Sequence, residues 1–172
     1  MHSARIASVA AAALLAGTAA QAADPVATAT MMNQDQAEIG TVEIFETADG
    51  LLLRADLSEL ETGWHGFHIH QTGACESDFT SAGGHYAPDD SGHGFYTENG
   101  GHAGDLPNIY VGENGNAMAD FHTTRVTLDG DTAPLMDDDG SAIMVHADPD
   151  TYESEAGAGD RVACGVVEPV GG

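Results

Sequence analysis

The sequence predicts an all-β chain, an eight-stranded Greek-key β-barrel or sandwich with two long functional loops, and three observations predict it. Short runs alternate apolar and polar residues with period two, turns rich in Gly, Asp and Asn separate them at short intervals, and no heptad or long 3.6-residue periodicity occurs. Two stretches, 71–106 and 147–160, have no apolar periodicity at all. Long loops of that kind are uncommon inside a compact domain and are usually functional, so something other than a core must order them.

The elements follow in order. Arg5, the apolar Ile6 to Ala16 and the small-x-small triplet Ala20-Gln21-Ala22 read as a signal peptide over residues 1–22, cleaved after Ala22. The apolar run is Ala-rich, interrupted and shorter than the ~20 residues a spanning helix needs. Residues 23–172 are then one domain, exported to the periplasm or secreted. Val26 to Asn33 and Ile39 to Glu46 alternate as strands, and Ala48-Asp49-Gly50 turns the second into Leu51 to Leu57 as a hairpin. In the run from Trp64 to His70, period two puts His68 and His70 on one face and Phe67 and Ile69 on the other. Ile109 to Val111, Ala117 to Thr123, Val126 to Leu128, Ala142 to His146 and Val162 to Val167 complete the predicted strands.

Charge narrows the partners. The formal net charge is −24; past Arg5 only Arg54, Arg125 and Arg161 face 28 acids, and there is no lysine. Such a surface repels nucleic acid and anionic membranes, so neither is expected as a partner. The acids are interspersed among apolar residues, which argues for a folded chain in a salty or external milieu. Cys75 and Cys164 are the only cysteines, and in an oxidising compartment they are expected to form one disulfide.

The histidines carry the chemistry. His68 and His70 share a strand face, His85, His93 and His102 lie in the first loop, and His146 ends a distant strand. Imidazoles gathered this way by a β scaffold suit a metal, and binding would order the loop. From His85 the spacing is His-x7-His-x8-His-x2-Asp, ending at Asp105, a donor set suited to tetrahedral zinc. His68, His70 and His146, all nitrogen with no thiolate, suit copper. Adjoining sites would share one histidine, and spacing alone leaves open which. His65 has the opposite parity to His68 and reads as structural rather than ligating. His122 reads as a solvent-facing strand residue, and Trp64 as a half-exposed residue or a subunit contact.

Several segments in order resemble the copper,zinc superoxide dismutases: Gly66-Phe67-His68-Ile69-His70, Ser81-Ala82-Gly83-Gly84-His85, Gly101-His102-Ala103-Gly104-Asp105-Leu106, Val145-His146, and Asp160 through Val167. The resemblance runs from about Val26 to the C-terminus. It implies copper on His68, His70, His85 and His146 and zinc on His85, His93, His102 and Asp105, with His85 bridging. It further implies that Asp150 hydrogen-bonds His68 and His93, fixing ring orientation, that Arg161 stands beside the copper, and that Cys75 and Cys164 form the intrasubunit disulfide. The implied reaction is disproportionation of superoxide to oxygen and hydrogen peroxide by copper redox cycling, with His85 and Arg161 as the catalytic residues and a homodimer as a possible assembly. An exported copper and zinc store on the same fold is the alternative, and it would need neither an anion anchor nor a shared ligand. The 147–160 loop departs from the family's animal members in lacking lysine altogether, and Glu155 within it is expected to approach the substrate channel.

Overall fold

The computed structural model describes residues 23–98 and 100–171; the expected signal peptide lies outside the described residues. Nine strands occur among the described residues: β1 (Ala27–Asn33), β2 (Glu38–Glu46), β3 (Leu51–Leu57), β4 (Gly63–His65), β5 (Phe67–His70), β6 (Ile109–Val111), β7 (Ala117–Thr123), β8 (Ala142–His146) and β9 (Arg161–Pro169). Seven form one curled antiparallel sheet in the order β5-β8-β9-β1-β2-β3-β7, and β4 pairs with β6 in a second, two-stranded sheet. Among the described residues, no helix is long and apolar enough to cross a membrane.

Apart from shifts of one or two residues at strand ends, two elements differ from the sequence reading. The single run expected from Trp64 to His70 is broken at Gly66, where the Gly66 amide donates to the Asp148 carbonyl and its own carbonyl accepts from the His146 amide. The chain thus passes from the small sheet to the large one at the point where the second loop must be tied down; counted as one run, β4 and β5 bring the total to eight. Val126 to Leu128 is not a strand. Its groups instead meet the following turn, with the Thr127 amide donating to Ala133 and the Leu135 amide to Thr127, and Pro134 opposite Thr127 has no amide hydrogen to extend a ladder.

Alternation decides what lies inside. In β3, Leu51, Leu53, Ala55 and Leu57 are buried while Arg54 and Asp56 are exposed, and Leu53 sits opposite Ile44 of β2 and Phe121 of β7. Phe67 and Ile69 of β5 join this core, the Phe67 ring stacking on Phe121 at 4.8 Å. Burying each such side chain contributes roughly 2 kcal/mol. A second small cluster of Phe79, Ala82, Ala142, Met144 and Cys164 holds the first loop against β8 and β9, and the Cys75–Cys164 disulfide closes across it. The bond spans 89 residues, which on the chain-entropy account stabilises the fold by about 4.6 kcal/mol.

Candidate metal centre

β5 builds one wall of the centre. Because Phe67 and Ile69 point into the core, His68 and His70 must point the other way, and both rings are nevertheless buried. β8 pairs with β5 and delivers His146 at its end, where the ladder with β9 shifts register between Val145 and His146 and sets His146 opposite Arg161. Such bulges commonly re-aim a side chain at a site. The first loop folds back on the same strand: His85 forms a backbone bridge with His70, and Asp105 one with His68. Gly104 makes that return possible, since a Cβ there would collide with the Ile69 carbonyl.

Two groups of ligand-type atoms converge, each with all its atoms within 4.8 Å of one another: His68, His70, His85 and His146, and His68, His85, His93 and Asp105. In the first, backbone carbonyls decide which nitrogen is free. His70 Nδ1 donates to the Gly83 carbonyl (3.0 Å) and His146 Nδ1 faces the Gly159 carbonyl (3.3 Å), so their Nε2 atoms, 3.4 Å apart, turn inward. His68 is reversed: Nε2 donates to Asp150 Oδ2 at 2.7 Å, and Nδ1 is buried without any partner. An unpaired buried nitrogen beside two inward Nε2 atoms fits an all-imidazole cation site of the kind that suits copper.

The second group suits a harder, oxygen-containing site. His85 Nδ1 lies 2.8 Å and His102 Nδ1 3.2 Å from Asp105 Oδ1, while Asp105 Oδ2 accepts the amides of Gly94 and His102. The fourth member of this group is His68, and His102 lies outside it. His102 Nδ1 nevertheless lies within hydrogen-bond distance of Asp105 Oδ1, whereas His68 reaches Asp150 through Nε2 and keeps Nδ1 unpaired. His93 spans Asp150 Oδ2 with Nε2 (2.9 Å) and the Glu153 carbonyl with Nδ1 (2.6 Å). A ring nitrogen of His93 that takes a metal therefore leaves one of these partners.

Electrostatics agree with ligation. Burial pushes His68 down to about 4, with the Asp150 hydrogen bond opposing it, and burial with neighbouring His85 and Arg161 takes His70 down to about 2. Burial and His68 take His146 to about 3. These rings are therefore neutral at physiological pH, the form a metal needs. Burial alone would raise Asp105 and Asp150, but hydrogen bonds from His85 and from the Gly94 and His102 amides hold Asp105 below its ordinary range, and those from His68 and the Tyr152 amide hold Asp150 down.

Arg161 donates to the carbonyls of Phe79 and Gly83 and lines an open cleft with Gln34, Asp78, Thr80, Gly159 and Asp160. The acids lining this cleft are Asp78 and Asp160, and Glu155 is exposed. His65 is structural: its nitrogens face the carbonyls of His146 (2.7 Å) and Glu61 (2.8 Å). His122 is exposed, and its Nε2 lies 3.1 Å from Thr47 Oγ1 and 3.3 Å from Asp49 Oδ1.

This arrangement has known counterparts. A family model described as copper/zinc superoxide dismutase matches residues 38–167. The chain belongs to that family. The Cu-Zn superoxide dismutase of Caulobacter vibrioides is 40% identical over 148 residues, covering 83% of this chain and 85% of that one. The one from Legionella pneumophila is 39% identical over 133 residues, covering 76% and 78%. Among solved structures, the Cu/Zn superoxide dismutase from Brucella abortus matches with a TM-score of 0.68 at 30% identity, covering 82% of this chain and 98% of its own. A SOD-like protein from Bacillus subtilis matches with a TM-score of 0.77 at 34% identity, covering 81% and 96%. Family membership makes the chain an oxidoreductase with copper and zinc as its cofactors.

The neutral histidines predict a pH dependence. His68, His70 and His146 titrate below their ordinary 6.5 when folded, so below that pH the unfolded chain binds more protons than the folded one, and stability falls with falling pH. Asp105 and Asp150, both held below 3.8, keep their charge down to about pH 4 and leave this window to the histidines. The urea midpoint of the metal-free, disulfide-intact protein should therefore be lower at about pH 4.5 than at about pH 7. An equal or higher midpoint at the lower pH would contradict the burial of neutral rings.

Proposed function

We propose that the chain disproportionates superoxide to oxygen and hydrogen peroxide, with copper held by His68, His70, His85 and His146 and zinc by His85, His93, His102 and Asp105. Two histidines, His68 and His85, belong to both groups, and the observation that carries this reading is that of the two only His85 has its Nδ1 turned to Asp105, with Nε2 left for the imidazole cluster. Bound copper supplies one-electron oxidation and reduction of superoxide, and zinc supplies fixed positive charge without redox chemistry. His85 is the residue that takes and releases a proton at Nε2, while its Nδ1 stays on the Asp105 side.

Arg161 binds the anion. Its guanidinium is braced by the carbonyls of Phe79 and Gly83, and it is near enough to His70 and His146 to disfavour their protonation. A fixed, always-charged fork beside His70 and His146 orients superoxide through charge-assisted hydrogen bonds. A metal store would have no use for that arrangement. The Cys75–Cys164 disulfide supports export to an oxidising compartment, the periplasm or beyond. A second copy of the chain is the partner we assign to Trp64 and Tyr110, exposed neighbours on β4 and β6 with rings 5.0 Å apart.

Two outcomes test the reading. Arg161→Ala should slow dismutation by about tenfold or more, the equivalent of one charge-assisted hydrogen bond, with copper and zinc content unchanged by elemental analysis. Unaltered rates would remove Arg161 from the reaction. Salt tests how the anion arrives. The chain carries a net charge of −24, and the 147–160 loop brings Asp148, Asp150, Glu153, Glu155 and Asp160 with no basic residue. Repulsion reaches about 30 Å at 0.01 M salt but only about 10 Å at 0.1 M, so added salt should relieve distant repulsion before it weakens the local pull of Arg161. The second-order rate constant from pulse radiolysis should be flat or rise over that range, and a steep fall would mean that attraction dominates the approach.

A further inference from the structure

Asp150 is a single carboxylate serving two imidazoles, so whatever aims it controls both sides of the centre. Its Oδ2 faces His68 Nε2 at 2.7 Å and His93 Nε2 at 2.9 Å, while its Oδ1 accepts the Tyr152 amide at 2.7 Å. The backbone behind it belongs to no strand. Instead the Asn108 side chain pairs with it on both main-chain groups, as a neighbouring strand would: the Asp150 amide donates to Asn108 Oδ1 (2.8 Å), and Asn108 Nδ2 donates to the Asp150 carbonyl (2.9 Å). The Asn108 amide in turn donates to the Tyr152 hydroxyl at 2.8 Å. Asn108 follows Asp105 by only three residues, so one short segment carries the zinc-side carboxylate and the clamp on Asp150.

Tyr152 closes the arrangement from the other loop. It stands in the left-handed region at φ 64°, which costs a non-glycine residue energy and persists only where its surroundings hold it. Here the Phe95 ring stacks on it at 5.3 Å, the Tyr96 ring meets it edge-on at 5.8 Å, and the Tyr96 amide donates to its carbonyl. The two loops approach so closely that a Cβ at Gly94 would collide with the carbonyls of Tyr152 and Glu153.

We propose that Asn108 and Tyr152 are positioning residues that lock Asp150 in place, and that through Asp150 they set how tightly the His93 side holds zinc. This role rests on the zinc assignment proposed above. Partners that orient a ligating histidine typically change metal affinity by about 10- to 100-fold when removed, and a side-chain amide holding both backbone groups of such a partner transmits part of that effect.

The test is zinc affinity by chelator competition on the copper-free, disulfide-intact chain, in a double-mutant cycle. Asp150→Ala should raise the zinc dissociation constant by about 10- to 100-fold and Asn108→Ala by about tenfold. The double variant should bind zinc no more weakly than Asp150→Ala alone, because Asn108 acts through that carboxylate. A purely structural Asn108 would instead add its full effect in the Asp150→Ala background, and that additivity would overturn the inference. So would unchanged affinity in Asn108→Ala. If Asn108→Ala fails to fold, Tyr152→Phe keeps the ring against Phe95 and removes only the hydroxyl acceptor; it should weaken zinc by about fivefold, the worth of one ordinary hydrogen bond, and no change would count against the proposal equally. Wild-type chain that takes up no zinc would overturn the metal assignment itself, a result distinct from normal uptake with an indifferent Asn108.

Discussion

A buried imidazole nitrogen with nothing to bond to is the constraint around which the rest of the molecule is arranged. His68 is fully enclosed, its Nε2 is fixed on Asp150, and its Nδ1 has no partner. Leaving such a group unsatisfied costs about 1–3 kcal/mol, and two further Nε2 atoms turn toward the same space. Lone pairs facing one another are unfavourable without a cation between them. The core explains why the rings cannot escape: Phe67 and Ile69 fill the barrel on the other face of β5, so turning His68 outward would expose both.

Two loops without a core of their own complete the centre, and each is held by specific bonds rather than by burial alone. The first is anchored at one end by the disulfide and Phe79 and in its middle by Tyr86, whose hydroxyl donates to the Pro134 carbonyl. Burial and the nearby Asp137 push that phenol up to about 12, so it remains a donor. Farther along, Arg125 reaches from beyond β7 to the carbonyls of Gly100 and Gly101, immediately before His102. The second loop is joined to the first at Asp150, Tyr152 and Glu153, all of which gather on or beside His93. The geometry of the centre is thus a property of how the loops meet, with β5 and β8 as the rigid reference.

What could be read from the sequence was whatever local period or motif encodes. His68 and His70 share a face because strands repeat every two residues, and the turn after β2 announces its hairpin. The break at Gly66 was hidden because alternation continues through it, and Val126 to Leu128 imitates a strand while its partner is a turn containing proline. Strand face and spacing separated the histidines into two donor sets, but which one the sets share came from family resemblance, since spacing alone left the bridging residue open. Asn108 and Tyr152 escaped altogether. A backbone clamp between residues 42 apart leaves no spacing to recognise, and an asparagine before a strand looks like any other turn residue.

Everything proposed for the centre depends on two adjoining metal sites that share His85, and diffraction from metal-reconstituted crystals collected at the copper and zinc absorption edges tests this most directly. The expected result is a copper-specific anomalous peak among His68, His70, His85 and His146 and a zinc-specific peak beside His85, His93, His102 and Asp105, with the His85 ring between them. Zinc at both positions, a single ion, or a His85 turned away from either peak would contradict it.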